Sequence, residues 1–536
     1  IDPLRIARIP QINTQKQHPS RPHTAMATEA FPWVATLAVV LLAFHFILRR
    51  RRRRNLPPGP RAWPLIGNLN LIGPLPHRSV HALALHYGPF MHLRFGSHPV
   101  FVASSADAAR QILKTHDVSF VSRPKTAAGK YTTYDYSDIT WSPYGPYWRQ
   151  ARRMCLTELF SARRLEYFER IRVEETMALL RGLYRSSVAG EVVALKDRLS
   201  TVSLNLISRM VLGKSYLEEE EGSKRIVTAE EFKSMLDELF LLNGVMTVGD
   251  SIPWLEFMDI GGYVKRMKAV SRKLDAFLEV VVAEHEARRE GVKEYAARDM
   301  MDVLLQLADD PDLPVKLHRN SVKAFTQDLI AGGTESSAVT VEWAISELLK
   351  KPMMMERARE ELDRVVGRER WVKEEDIPHL PYVDAISKET MRLHPVAPFL
   401  VPRMAREDCT VGGYDVPEGT RVLVNVWTIG RDPAAWDDPE EFRPERFLGR
   451  EVDVKGQHYE LLPFGSGRRM CPGYALGLKV IHSTLANLLH GFTWRLPAGT
   501  APEDLSMEEI FGLSTPKKTP LVAAVEPRLQ PHLYSQ

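Results

Sequence analysis

The chain has 536 residues, of which 44% are hydrophobic and 26% charged, an ordinary globular composition with ample apolar material for a large core. A net charge of +4 is mild for this length and gives no sign of a nucleic-acid partner. Its three cysteines, Cys155, Cys409 and Cys471, exclude a disulfide scaffold and the paired Cys-x-x-Cys ligands of zinc and iron–sulfur sites, so any cysteine chemistry rests on a single thiol.

Residues 1–25 contain no methionine and are rich in Pro, His, Gln and Arg, which reads as a leader or non-native extension before Met26, or as a disordered natural one. Phe31 to Leu48 is largely apolar and carries no formal charge. At about 1.5 Å rise per residue this run just reaches across a hydrocarbon core. A cleaved signal peptide would place its positive residues first. Here Glu29 precedes and the arginines Arg49 to Arg54 follow, so residues 26–54 read as an uncleaved signal anchor with a basic stop, leaving the rest of the chain cytosolic. Residues 55–62 carry Leu56-Pro57-Pro58-Gly59-Pro60, a stiff Pro-rich hinge. Residues 63–536 show no linker and no internal repeat, so they are expected to form one body despite their length.

Along that body, Phe90 to Phe95 and Pro99 to Ala103 read as strands of a hairpin around Gly96-Ser97. Trp148 and Arg152 lie at i and i+4, so both can donate to one ligand carboxylate, although a basic amphipathic helix would look the same. Helical patterns then dominate: Leu165 to Leu183, Leu274 to Glu290, Ser321 to Leu349 and Met355 to Val366, the last closed by Gly367. Within the third, Ala331-Gly332-Gly333-Thr334-Glu335-Ser336 places two glycines in a helix interior at a cost of about 1 kcal/mol each. A helix opened to admit a ligand would justify that cost, with Glu335 and Ser336 able to relay protons beside it; a plain kink is the alternative. Glu389 and Arg392, at i and i+3, can pair on a helix face, with Arg446 of Phe442-Arg443-Pro444-Glu445-Arg446-Phe447 as a third partner. Thr420 to Val426 reads as a strand after the turn Pro417-Glu418-Gly419.

The stretch Phe464-Gly465-Ser466-Gly467-Arg468-Arg469-Met470-Cys471-Pro472-Gly473 precedes a helix over Tyr474 to Leu489. Free N–H groups at that helix start stabilise a thiolate, and the glycines let the loop approach a flat ligand. Arg469 could pair with an acidic group on that ligand. A lone cysteine is more often a buried structural residue, which accounts poorly for the whole pattern.

Taken together, in this order and spacing, these pieces resemble the cytochrome P450 superfamily from about Phe31 to Pro527. The F-x-x-G-x-R-x-C-x-G pattern is matched at Phe464, Gly467, Arg469, Cys471 and Gly473. The resemblance implies a mainly α fold with a minor β part, haem b (iron protoporphyrin IX) as cofactor, and Cys471 as the thiolate on its iron. It places Phe464 and Gly473 in the cofactor loop, Trp148, Arg152, Arg403 and Arg469 at the haem propionates, and Glu389, Arg392 and Arg446 in a structural triad. Glu335 and Ser336 match the acid–alcohol pair that delivers protons, with Ser336 standing where the family usually has Thr.

The anchor, the hinge and Trp141-Ser142-Pro143-Tyr144-Gly145-Pro146-Tyr147-Trp148 look like the plant microsomal A-type group, which acts on flavonoids, terpenoids and other specialised metabolites. This implies a single-pass protein of the endoplasmic reticulum membrane, NADPH–cytochrome reductase as electron partner, and insertion of one atom of O2 into a small hydrophobic substrate. A flavonoid 3'-hydroxylase-like activity heads the expectations. Substrate contacts should come from the loop at residues 122–140 and from 236–248, 332–336, 396–401 and 513–515. Two other classes stand beside this reading: a haem-thiolate isomerase or dehydratase acting on peroxides without O2, and a haem-binding sensor or electron carrier.

Overall fold

The computed structural model describes residues 54–215, 227–292 and 295–535, together with residues 36 and 39–41. The chain divides into one unit over Ile1–Asn55 and a second over Leu56–Gln536. The leader and, apart from residues 36 and 39–41, the expected membrane span lie outside the described residues, and no described helix is long and apolar enough to cross a membrane.

The second unit is mainly helical with a minor β part. It begins with α1 (Pro76–Tyr87), which a proline starts and Gly88 closes at φ +96°. Strands β1 (Phe90–Phe95) and β2 (His98–Ala103) form the expected hairpin, pairing Phe90 with Ala103, and Gly96 turns it at φ +59°. Then come α2 (Pro146–Met154), α3 (Glu169–Val188), the short strand β3 (Val193–Ala194), α4 (Leu195–Leu212), α5 (Ala229–Gly244) and α6 (Tyr263–Arg289). A central pair follows, α7 (Arg319–Thr334) and α8 (Ser336–Lys350), then α9 (Pro352–Val365) and α10 (Pro381–Leu393). Strands β4 (Arg403–Met404) and β5 (Arg421–Val424), helix α11 (Tyr474–Gly491), and strands β6 (Phe492–Arg495) and β7 (Val522–Pro527) complete the labelled elements.

One sheet runs β1-β2-β5-β4, with β2 and β5 parallel and the other neighbours antiparallel; another runs β3-β7-β6. Two large apolar cores meet along the central helix pair. Phe325, Leu329 and Ile330 of α7 pack with α4 and α6, whereas Val341, Ile345 and Leu348 of α8 pack with α3 and α11. Every residue from Ser337 to Leu349 is buried. α8 is therefore a fixed beam to which the residues around its start are referred.

Boundaries differ from the expectations in instructive ways. The helix expected over Leu165 to Leu183 is split at Phe168, a fully buried side chain whose backbone leaves helical geometry. α6 starts eleven residues before Leu274, because Asp259 accepts from the N–H groups of Val264 (2.8 Å) and Lys265 (3.0 Å) and so caps it from outside the periodic stretch. The strand expected to reach Val426 stops at Val424, where the Asn425 side chain accepts from Thr428 N–H and starts a short helix.

Candidate active site

The Glu389–Arg392 pair is fully buried on α10. Arg392 Nε meets Glu389 Oε2 at 2.7 Å, and Arg446 Nε meets Oε1 at 3.0 Å. Arg392 also donates to Pro439 O (2.7 Å) and Glu441 O (2.9 Å), tying α10 to the segment that leads to the cysteine loop. The three residues thus form a buried tie.

Within that loop, Cys471 N–H donates to Phe464 O at 2.9 Å. Gly467 lies at φ +69°, and a Cβ there would come within 2.3 Å of Leu113 O, so the loop is pressed against the 111–117 segment in a way only glycine allows. Asp117 fastens it further, accepting from Arg468 (2.7 Å) and Arg403 (2.8 Å). Burial pushes the Cys471 pKa up, while the Gly473 N–H at the start of α11 and the Arg152 guanidinium favour its thiolate.

Cys471 lines a cavity of about 490 Å³. Of the residues expected at the cofactor or in catalysis, Trp148, Arg152, Glu335, Ser336, Arg403, Phe464 and Arg469 line the same cavity. Gly473 does not; it backs onto Phe160, where a Cβ would meet the ring at 3.5 Å. The two glycines of the central helix also have different roles. Gly332 lines the cavity, and a Cβ there would meet nothing within 4 Å, whereas Gly333 faces α4, where a Cβ would lie 2.6 Å from Ile207 Cδ1. The helix breaks only at Glu335, between α7 and α8, and the Ser336 hydroxyl donates to Gly332 O at 2.9 Å.

One wall carries the positive charge. Arg152 donates to Met470 O (2.5 Å) and Trp148 Nε1 to Ile139 O (3.1 Å). The Arg469 guanidinium lies 4.1 Å over the Trp148 ring and donates to Val121 O (2.8 Å) and Ser142 O (2.6 Å). Arg123, which the sequence reading passed over, donates to Thr140 O (2.9 Å) and Pro402 O (2.9 Å) beside them. Burial lowers the pKa of Arg123, Arg152, Arg403 and Arg469, the last to about 9. Arg403 has Asp117; among the described residues Arg123, Arg152 and Arg469 have no carboxylate in salt-bridge contact. Buried cations whose only partners are carbonyls suit a ligand that brings its own carboxylates. With a free thiol and the bare backbone of Gly332 on the same cavity, the donor set fits haem.

A second missed residue is Asp328 on α7, one helical turn before Gly332 and on the same face. Its Oδ2 accepts from Ile139 N (3.1 Å), Thr140 N (3.1 Å) and Thr140 Oγ1 (3.0 Å), and burial raises its pKa to about 6. It latches the 137–142 loop, which covers the cationic wall, to the central helix. Its i, i+4 relation to Gly332 was available in the sequence; for Arg123 no local pattern marks the position.

Apolar side chains from the expected substrate segments supply much of the remaining lining, including Leu239, Phe240, Met246, Phe399, Leu400 and Leu513. Thr515 stands behind the wall, donating to Pro395 O at 2.7 Å.

Residues 57–523 match the family described as Cytochrome P450. Trimethyltridecatetraene synthase of Zea mays is 52% identical over 530 residues, which cover 94% of this chain and 95% of that protein. Dimethylnonatriene synthase of Zea mays is 51% identical, covering 95% of this chain and 98% of the relative. A flavonoid 3'-monooxygenase of Petunia hybrida is 42% identical, covering 94% and 99%. Among solved structures, a zebrafish cytochrome P450 with progesterone is 28% identical with a TM-score of 0.71, covering 84% of this chain and 99% of that one.

Proposed function

The chain belongs to the cytochrome P450 family, and on that premise we propose that Cys471 holds the haem iron, that Arg123, Trp148, Arg152, Arg403 and Arg469 hold the propionates, and that Glu335 and Ser336 deliver protons. The protein is a haem-thiolate monooxygenase that uses haem b, O2, a reductase partner and a hydrophobic substrate. When bound, the haem supplies the activation of dioxygen. The chain contributes everything around that chemistry. The Gly473 N–H and Arg152 favour the thiolate, the guanidiniums neutralise the two propionates away from water, and Gly332 leaves backbone room on the side of α7. Ser336 keeps its hydroxyl on Gly332 O, and Glu335 lines the same cavity, so that a hydroxyl and a carboxyl stand at its edge. The apolar wall excludes water and orients the substrate.

The single observation that carries the residue assignments is that Cys471, the guanidiniums of the cationic wall and Gly332 line one cavity. A carbon monoxide difference spectrum of the reduced protein tests it. The wild type should give the red-shifted thiolate-type Soret band, and Cys471→Ala should lose it. A histidine-type band in the wild type would overturn the assignment.

For the substrate, the observation that matters is the order of identity. Two relatives above 50% are named for methyl-branched acyclic polyenes, and a flavonoid monooxygenase stands at 42%. We therefore place a branched acyclic terpenoid first, and the flavonoid expectation second. Incubation of the reductase-supported enzyme with one substrate panel of each class separates them: turnover confined to the aromatic panel reverses the order.

The membrane reading rests on the charge-free run Phe31 to Leu48 followed by six arginines. On it, residues 26–54 anchor the protein in the endoplasmic reticulum membrane by one span, residues 55–62 form the hinge, and the catalytic body is cytosolic.

A further inference from the structure

We infer that Ser514 is a positioning residue that holds the Glu335 carboxyl turned to the 512–515 loop, as the station through which protons reach the cavity; this rests on the proton-delivery role proposed above for Glu335 and Ser336. Glu335 is the single residue between α7 and α8, at φ −97° and ψ −33°. At such a break the direction of its side chain is decided by its partners. The partner is Ser514, whose Oγ donates to Glu335 Oε2 at 2.5 Å, although the two are 179 residues apart in sequence. Both residues line the cavity.

The serine is held in place from two sides. Thr515 donates its N–H to Val396 O (3.0 Å) and its hydroxyl to Pro395 O (2.7 Å), and its own carbonyl accepts from Trp343 Nε1 of α8 at 3.1 Å. At the end of α5, Gly244 sits so close that a Cβ there would come within 2.4 Å of Leu513 N. The loop is thus clamped between α5, α8 and the 395–396 segment, and the hydroxyl is a fixed point against which the carboxyl is set.

Two charged groups face Glu335 from the packed helices: Lys196, half-buried on α4, favours the carboxylate, and Asp237, exposed on α5, opposes it. Burial raises the Glu335 pKa, and the Ser514 hydrogen bond works against that rise. A group that must accept a proton from the solvent side and pass one on needs both forms within reach, and the serine supplies the counterweight to burial. The relay so inferred balances at one atom: the Glu335 carboxyl takes up one proton on the Lys196 and Asp237 side and gives up one on the cavity side, returning to its starting state.

The test compares Ser514→Ala, Ser514→Thr and Glu335→Gln in the full chain. Infrared difference spectra over a pH series read the protonated carboxyl band of Glu335, assigned by its loss in Glu335→Gln. Without the serine hydrogen bond the protonated form persists to higher pH, so the midpoint should move upward in Ser514→Ala and return in Ser514→Thr. The pH limb of the ratio of product formed to NADPH consumed should move the same way. Ser514→Cys, a weaker donor of similar shape, gives the same comparison if the alanine variant does not fold. An unmoved midpoint in the folded variant overturns the inference. If Glu335→Gln uncouples the enzyme while the Ser514 variants match wild type, only the inference fails. If Glu335→Gln leaves coupling and its pH profile unchanged, the proton-delivery reading fails, and the inference fails with it.

Discussion

Arg469 shows how a side chain can be legible in type and yet be understood only in place. Its position two residues before Cys471 raises the expectation of a ligand contact, but the reason it is available is tertiary: it is stacked on Trp148, lined up with the carbonyls of Val121 and Ser142, and has no carboxylate in salt-bridge contact among the described residues. Replacing it should cost about 1.5–3 kcal/mol of haem binding, the range for a charge-assisted hydrogen bond. Haem transfer from Arg469→Leu to apomyoglobin should accordingly run more than tenfold faster than from wild type. Arg153→Leu serves as the control, because Arg153 is exposed on α2 and does not line the cavity. Equal transfer rates for wild type and Arg469→Leu would remove Arg469 from the cofactor site.

A second residue-scale consequence concerns pH. Glu509 is buried, which alone would raise its pKa, but hydrogen bonds from His77 (2.8 Å) and Arg78 (2.5 Å) of α1 hold it down at about 2. A carboxylate whose folded pKa is depressed contributes stability that is present above its unfolded value of about 4.3 and is lost as the pH falls toward 2. Glu509→Gln should therefore destabilise the protein by about 3 kcal/mol at pH 7. The gap from wild type, followed by urea denaturation, should close as the pH approaches 2. A gap that stays constant with pH would show that packing, and not charge, carries the contribution.

At the scale of elements, the break between α7 and α8 and the tie on α10 decide how the site is held. Local pattern located both. The two glycines marked an irregular point, and the i, i+3 spacing marked a pair. It did not assign their parts, because a glycine's use depends on what lies opposite it. Gly332 faces the cavity and Gly333 faces Ile207, which is 126 positions earlier. In the same way, Glu389 looks like half of a weak surface pair until Arg446 is brought to it and Arg392 to the carbonyls of Pro439 and Glu441. Removing one partner of a buried ion cluster leaves the others uncompensated. Glu389→Ala should cost about 3–5 kcal/mol of folding stability, with loss of the haem spectrum in step with unfolding. A stable variant with intact haem would show that the tie is dispensable.

For the whole molecule, the anchor proposed from residues 26–54 makes a prediction independent of the catalytic body. Microsomes carrying the full chain should retain it through alkaline carbonate extraction, and deletion of residues 31–48 should release it to the supernatant while leaving the carbon monoxide spectrum intact. Release of the full chain would sink the single-span reading.

Short spacing along the chain was enough for the hairpin at Gly96, the helix α11 behind the cysteine, the cysteine loop, and the composition that excludes a disulfide scaffold. These are local because periodicity, caps and turn residues act over a few positions. Folding in three dimensions settled the rest: that Arg123 and Asp328 belong to the site, that Gly473 backs onto Phe160, that α6 starts from Asp259, and that Ser514 reaches Glu335. Each depends on contacts between segments far apart along the chain, and no local pattern encodes which distant surface a side chain will meet.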